Sequence, residues 1–415
     1  MRSVQEQLAA VLAVATPVAP LDVVLADAAG CVLAADVTVA TDIPAATVSA
    51  VDGYAVLADD TVRATAEDPV LLPVAHDVLA GASRPLRLAP GQAIRIASGG
   101  VLPLGADTVI PAAETDRGEV RVAVTSPAVP GSHLRVVGSD AGVGDVALAA
   151  GTRMGARQIA LAAALGRGRV RVHPAPRVVV IAVGDELVVP SDPLREGTLH
   201  DANSHALTSA IADVGAAAVR VGAVSDDRAS LRECLQDQLV RADVIVLTGG
   251  LSEYARDTVK DVLGPLGTVR FDHVAMTPGG RQGFGTVHGD VRASDDDDTP
   301  GVPIFALPGH PVAAQISFEV FVRPALRAMA GQLELYRPSV AAQATVGWAS
   351  PSGVRQFVPA TLVGSPSDGY LVTPIGDPGA LSLTALAQAN ALAVIPERDV
   401  TVQPGQRVHC LVLEG

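Results

Sequence analysis

Four short segments carry residues able to do chemistry: Gly184–Leu187 (GDEL), Asp201–Ser204 (DANS), Thr248–Gly250 (TGG) and Leu307–Pro311 (LPGHP). Glycine lets backbone come close to a ligand, and unpaired N–H groups at a following helix start suit phosphate or another oxyanion. Asp185, Glu186 and Asp257 add hard carboxylate oxygens of the kind Mg²⁺ takes beside phosphates. Taken singly, each segment is an ordinary feature. GDEL reads equally as a strand-terminal turn with a helix cap, and TGG as a turn. His310 can donate or accept a hydrogen bond to a ligand, or simply start a helix packed against a sheet.

Their meaning depends on what positions them. RVVVIAV (Arg177–Val183) is a continuous β-branched run, as expected of a strand buried on both faces, and AVRVGAV and DVIVLTGG repeat that character. Helical patterns at Asn203–Val214 and Asp227–Arg241 lie between them, with Asn203 and Asp227 as candidate caps. VPIFAL (Val302–Leu307) precedes Pro308, Gly309 and an apolar helix over Val312–Met329. This alternation predicts right-handed crossovers and a parallel sheet, whose ligands bind beyond the carboxyl ends of the strands. The four segments would then line one crevice.

Around this core, a helix is expected over Ser3–Ala15, strands at Leu21–Val24 and Val32–Val39, and a helix over Ala156–Leu165 ending at Gly166. Short Val and Leu runs broken by Pro, Gly and Asp read as a β-rich insertion, and the pattern returns to short strands from Arg337. The resulting divisions are 1–42 with 132–174, 43–131, 175–335 and 336–415. The run Ser294–Thr299 (SDDDDT) reads as a solvated loop.

At 415 residues the chain needs more than one core, and with 49% hydrophobic but 3% aromatic residues those cores are filled by Ala, Val, Leu and Ile. The formal net charge of −14 argues against nucleic-acid or anionic-membrane binding, which need a dominant basic face. Cys31, Cys234 and Cys410 have no paired spacing and read as cytosolic thiols. The amino-terminal stretch lacks a signal-peptide pattern, and charges and prolines interrupt every candidate span, so a cytoplasmic protein without membrane insertion is expected.

The order and spacing of VGDEL, HDANS, TGGLSEYARDTVK, MTPGGRQGFG, LPGHP and FEVFVRPAL resemble the MoeA and gephyrin E-domain family, the molybdopterin molybdenumtransferases, over nearly the whole chain. SAVDGYAV (Ser49–Val56) and RIASGGVLPLGADTVI in the insertion are similar to two further signatures of that family. The resemblance implies an α/β multidomain fold: an elongated L-shaped subunit with a central parallel-sheet, MogA-like domain, a β-rich insertion domain and a small carboxyl-terminal β domain. It implies insertion of molybdate into adenylylated molybdopterin with release of AMP, Mg²⁺ as the cation, and a homodimer that joins the insertion of one subunit to the α/β domain of the other. Carried over by position, Asp52, Glu186 and Asp257 are the catalytic residues, with Glu186 and Asp257 on the metal. Ser98, Gly184, Asp185, Asn203, Ser204, Thr248, Gly249, Gly250, Lys260, Thr277, Arg281, Pro308, Gly309 and His310 would bind substrate.

The chain also departs from the family pattern. Thr277 and Gly280 stand where two lysines are expected, with Arg281 as the nearby cation, and Glu253–Arg256 puts bulk where small residues are expected. Charge-assisted hydrogen bonds contribute about 1.5–3 kcal/mol each, so losing two weakens anion binding by roughly 10²–10⁴. Two readings follow: an enzyme in which Arg281 and Lys260 substitute, or a scaffold that keeps the fold. In the second, which resembles gephyrin-like actinobacterial members, the dimer binds the tail of a membrane receptor and the tubulin-like division protein FtsZ.

Overall fold

The computed structural model describes residues 1–81, 86–251, 257–288 and 301–413. The bulky stretch Glu253–Arg256 and the acidic run Ser294–Thr299 lie outside the described residues. The chain forms two compact units, one of residues 1–23, 28–34 and 171–415, the other of residues 24–27 and 35–170.

The amino-terminal helix α1 (Val4–Val14) belongs to the first unit. Ser3 and Glu6 form a reciprocal capping box, with Glu6 N–H donating to the Ser3 hydroxyl at 3.1 Å and Ser3 N–H to the Glu6 carboxylate at 2.8 Å. These bonds hold the Glu6 carboxyl below its usual range. Val4 and Val11 are buried in the core of the α/β sheet described below.

The second unit is built on a five-stranded sheet of β1 (Gly53–Val56), β2 (Val70–Val78), β3 (Ala93–Ile96), β4 (Thr108–Pro111) and β5 (Arg121–Val124), in the order β4-β1-β3-β2-β5. Both faces are covered, Tyr54, Val56, Leu72 and Val122 in one cluster and Ala55, Ile94, Ile96 and Val109 in another. Helix α2 (Ala156–Ala164) follows, with Gly166 in the left-handed region at φ 73° just past its end.

The first unit centres on a six-stranded sheet. Its elements run β6 (Arg177–Ala182), α3 (Asn203–Val214), β7 (Ala217–Arg220), α4 (Arg228–Leu239), β8 (Val244–Thr248), α5 (Thr258–Leu263), β9 (Val269–His273), β10 (Arg281–Val287) and β11 (Val302–Leu307). Sheet order is β7-β6-β8-β11-β10-β9. Strands β7, β6, β8 and β11 are parallel, but β10 runs antiparallel to both β11 and β9. The sheet is therefore mixed where an all-parallel one was expected, because 269–287 folds back on itself without a crossover helix. Alternate residues of the central strands feed opposite cores, Val178, Val180, Val244 and Val246 on one side and Val179, Ile181 and Ile245 on the other. That two-sided burial, about 1.5–3 kcal/mol per side chain, is why these strands read as continuous apolar runs.

After β11 the expected single helix is interrupted. α6 (Pro311–Ser317) and α7 (Arg323–Met329) flank a π turn at Phe318–Val322. The turn carries Glu319, which accepts two hydrogen bonds from Arg337 at 2.8 and 2.9 Å and lies 3.8 Å from Arg323. Burial pushes the Arg323 guanidinium down from its ordinary value, with Glu319 opposing it. The remaining strands, β12 (Ser339–Ala344), β13 (Arg355–Ser365), β14 (Gly369–Pro374), β15 (Ala391–Ile395) and β16 (Arg407–Val412), pair in the order β13-β14-β12-β16-β15. β15 also pairs with β13, so the small β domain closes into a barrel, and helix α8 (Leu383–Gln388) connects β14 to β15. The pair Met276–Thr277 adds beside β13, opposite Arg355 and Gln356. No helix of the described residues is long and apolar enough to cross a membrane.

Candidate functional site

The carboxyl ends of β6, β8 and β11 carry the GDEL, TGG and LPGHP loops, and α3 starts beside them. Three contacts knit these loops together. The Asn203 side-chain nitrogen donates to Thr248 Oγ1 at 2.8 Å and to the Gly309 carbonyl oxygen at 2.7 Å, and Thr248 Oγ1 donates to the Pro308 carbonyl oxygen at 3.1 Å. Since both carbonyls can only accept, the direction of every bond follows, and Asn203 Oδ1 is left buried with no partner among the described residues.

Asn203 is available for this because it is not the cap that its sequence position suggests. Ser204 N–H donates to Asp201 Oδ1 at 3.0 Å, and the Ser204 hydroxyl donates to Asp201 Oδ2. Asp201 caps α3 from two residues further upstream, since Ala202 already has helical dihedrals. Ser204 is fully buried in this cap and so stands behind the crevice wall. Asp227 does cap α4, accepting from Ser230 N–H at 2.9 Å, and that bond lowers its carboxyl below the usual range.

The glycines set how near the loops come. At Gly249 (φ 91°) a Cβ would lie 2.3 Å from the Val183 carbonyl oxygen, and at Gly250 (φ 65°) 2.6 Å from Val259 Cγ2, so neither position accepts a side chain. A Cβ at Gly309 would meet Gly249 Cα at 3.4 Å, an ordinary contact. The Glu186 carboxylate lies over Gly184, where a Cβ would be 2.6 Å from Glu186 Oε2. His310 is exposed and caps α6, its Nδ1 accepting from Val312 N–H at 3.3 Å.

Acidic groups flank this floor. Asp257 is buried at the start of α5 and accepts from Lys260 N–H at 2.9 Å, while the Lys260 side chain is exposed. Asp185 accepts from the Ser225 hydroxyl at 2.6 Å, and Thr258 Oγ1 donates to the Asp226 carbonyl oxygen at 2.8 Å. Ser225, Asp226 and Thr258 thus tie GDEL to α5, a link the motifs did not reveal. Its sequence signal is the polar VSDD that ends the β7 segment. Among the described residues no group of three or more His, Cys, Asp and Glu is placed to hold a metal ion.

The lysine-deficient segment reaches the same edge. Gly283 pairs with Ala306, so two residues back along β10 Arg281 is level with Pro308 at the strand ends. Arg281 and Thr277 are half-buried there. Gly279, not Gly280, has the left-handed backbone, at φ 92°. Asp52 and Ser98 lie in the other unit, where Asp52 Oδ1 accepts from Ser98 N–H at 2.7 Å.

Fold and site together define an open-sheet α/β protein whose glycine-lined loops meet beyond the carboxyl ends of parallel strands. Residues 2–166 match the MoeA N-terminal region (domain I and II), 179–328 a probable molybdopterin binding domain, and 341–413 the MoeA C-terminal region (domain IV). The chain is 40% identical over 432 aligned residues to molybdopterin molybdenumtransferase 1 of Mycobacterium tuberculosis, covering 100% of this chain and 99% of that protein. A solved MoeA structure from Pyrococcus horikoshii superposes with a TM-score of 0.82 at 30% identity, covering 100% of this chain and 99% of that one. Gephyrin of Dictyostelium discoideum is 29% identical over 333 residues, 74% of this chain and 46% of gephyrin. The chain belongs to the MoeA family of molybdopterin molybdenumtransferases, proteins of molybdenum cofactor biosynthesis.

Proposed function

We propose that the protein inserts molybdate into adenylylated molybdopterin. Molybdate exchanges one oxo ligand, which leaves as water with the two thiol protons, for the two dithiolene sulfurs, and a water molecule cleaves the phosphoanhydride so that AMP leaves. The carrying observation is the crevice floor joined by Asn203, Thr248 and Gly309, where exposed backbone can meet phosphate oxygens at helix starts. Glu186 and Asp257 would hold Mg²⁺ beside those phosphates, and bound Mg²⁺ would neutralise charge building on the leaving phosphate. Arg281, level with Pro308, supplies the cation that Thr277 and Gly280 do not. The protein acts in the cytoplasm as a homodimer.

A second reading, a gephyrin-like dimeric scaffold binding a membrane receptor tail and FtsZ, draws on the missing lysine pair and on the bulk of Glu253–Arg256 in the sequence. The two separate on turnover. Purified protein given adenylylated molybdopterin, molybdate and Mg²⁺ should release AMP, and Glu186→Gln and Asp257→Asn should each slow that release at least about tenfold. Absence of AMP release by the wild-type chain defeats the enzyme reading.

A further inference from the structure

We propose that the β-rich unit holds a subsite for a pterin ring, read along its 2-amino-4-oxo edge by Asp77; the identity of the ring rests on the molybdopterin reading above. A cavity of about 290 Å³ opens at the end of the sheet where β2 and β3 finish and β1 begins. Asp52, Tyr54, Asp77, Leu79, Arg95 and Ala112 are among its walls. Arg95 stands within the RIASGG signature, three residues before Ser98, and has no part in the substrate and metal roles carried over above.

Strand register brings the key groups abreast. Arg95 pairs across β3 with Tyr54 on one side and with Asp77 on the other. Its Nε donates to Asp77 Oδ1 at 2.8 Å and its Nη2 to Asp77 Oδ2 at 2.6 Å, which fixes the plane of the carboxylate. Each carboxylate oxygen accepts two hydrogen bonds, so each Asp77 oxygen keeps one lone pair for a ligand.

Charge and shape select the ligand. Among the lining residues the carboxylates of Asp52 and Asp77 outnumber the Arg95 guanidinium and leave the slot net negative, which disfavours phosphate. A neutral edge rich in N–H is what such a slot accepts. The 2-amino-4-oxo edge of a pterin offers adjacent N–H donors, whereas adenine offers one donor and one acceptor, and its acceptor would face a carboxylate. Tyr54, Ala112 and Leu79 supply apolar walls for the ring faces, and Leu79 is 70% exposed at the rim.

The test uses the full-length protein and free pterin, followed by the fluorescence of the pterin. Wild type should bind it, adenosine should compete poorly, and Asp77→Asn should weaken binding about 10- to 100-fold, as for loss of a charge-assisted contact. Arg95→Gln keeps the acceptor and should lose clearly less. No pterin binding, equal losses in both variants, or adenosine competing as well as pterin would each overturn the proposal. AMP titration of the same variants reports the α/β crevice and should be unchanged. Failure of wild type to release AMP from adenylylated molybdopterin strikes the reading of function and not the slot.

Discussion

Asn203 and Gly309, 106 residues apart in sequence, are joined by a 2.7 Å hydrogen bond from the Asn203 amide to the Gly309 carbonyl oxygen. Through it the start of α3 holds the loop after β11, and the bond to Thr248 adds the loop after β8.

Replacing this amide should separate stability from binding. Asn203→Ala loses two hydrogen bonds at about 0.5–1.5 kcal/mol each, but it also removes the unpartnered buried Oδ1, which costs about 1–3 kcal/mol. Urea denaturation should therefore shift by no more than about 1 kcal/mol. AMP affinity, which depends on loop placement, should fall about tenfold or more. A large stability loss with unchanged AMP affinity would make Asn203 a purely structural residue.

Two neighbouring glycines should answer differently to the same methyl group. Gly249→Ala places Cβ against the Val183 carbonyl in left-handed backbone, and the strain alone costs about 1–2 kcal/mol before the clash is counted. Gly309→Ala meets only an ordinary contact, so its thermal midpoint should be unchanged while its Cβ obstructs the approach of phosphate. Calorimetric unfolding and AMP titration on both variants check the contrast.

Restoring a lysine should strengthen anion binding. Thr277→Lys is expected to raise AMP affinity about 10- to 100-fold, with the gain shrinking as salt rises. Gly280→Lys is a harder change for a steric reason: its Cβ would lie 3.1 Å from the Met276 and Val274 carbonyl oxygens. Gly280 does not have the left-handed backbone found at Gly279, so no dihedral strain adds to that crowding. Unaltered AMP affinity in Thr277→Lys across salt concentrations would show that Arg281 already fills the need.

Cys410 should be silent to alkylation in the folded protein. Burial in the barrel pushes its thiol up to about 11, so at pH 8 little thiolate forms, and access is closed as well. Cys31 and Cys234 are half-buried and should label first, even though burial also raises the Cys234 thiol. Mass spectrometry after iodoacetamide treatment, with and without urea, gives the order. Early labelling of Cys410 would mean that the barrel opens.

The motifs were legible because glycine, asparagine and acidic residues at strand ends leave a local trace, and Val178–Ile181 and Val244–Leu247 announce two-sided burial. What the chain's text hid depends on distance. Nothing near Asn203 says that Asp201 will take the cap and release the amide for Gly309. The polar VRFDH of β9 gives no sign that it pairs with β10, so the antiparallel half of the sheet went unread. Asp77 and Arg95 lie eighteen residues apart, and only strand register makes them neighbours.

The π turn at Phe318–Val322 is, in effect, a one-residue insertion recorded in a helix. In a regular α-helix an added residue would turn everything after it by about 100°, but the wider turn absorbs that rotation, so α6 and α7 both keep their apolar faces on one core while their sequence repeats are offset by one residue. Phe318 and Phe321 both reach the core within that turn, and Glu319 is aimed at Arg337. Deleting one residue there would allow an unbroken α-helix. That deletion would leave Ala325, Leu326 and Met329 facing the core, whereas straightening the turn without it would swing them off by nearly a third of a revolution, so the wide turn is what lets the helix carry an extra residue without losing its downstream contacts.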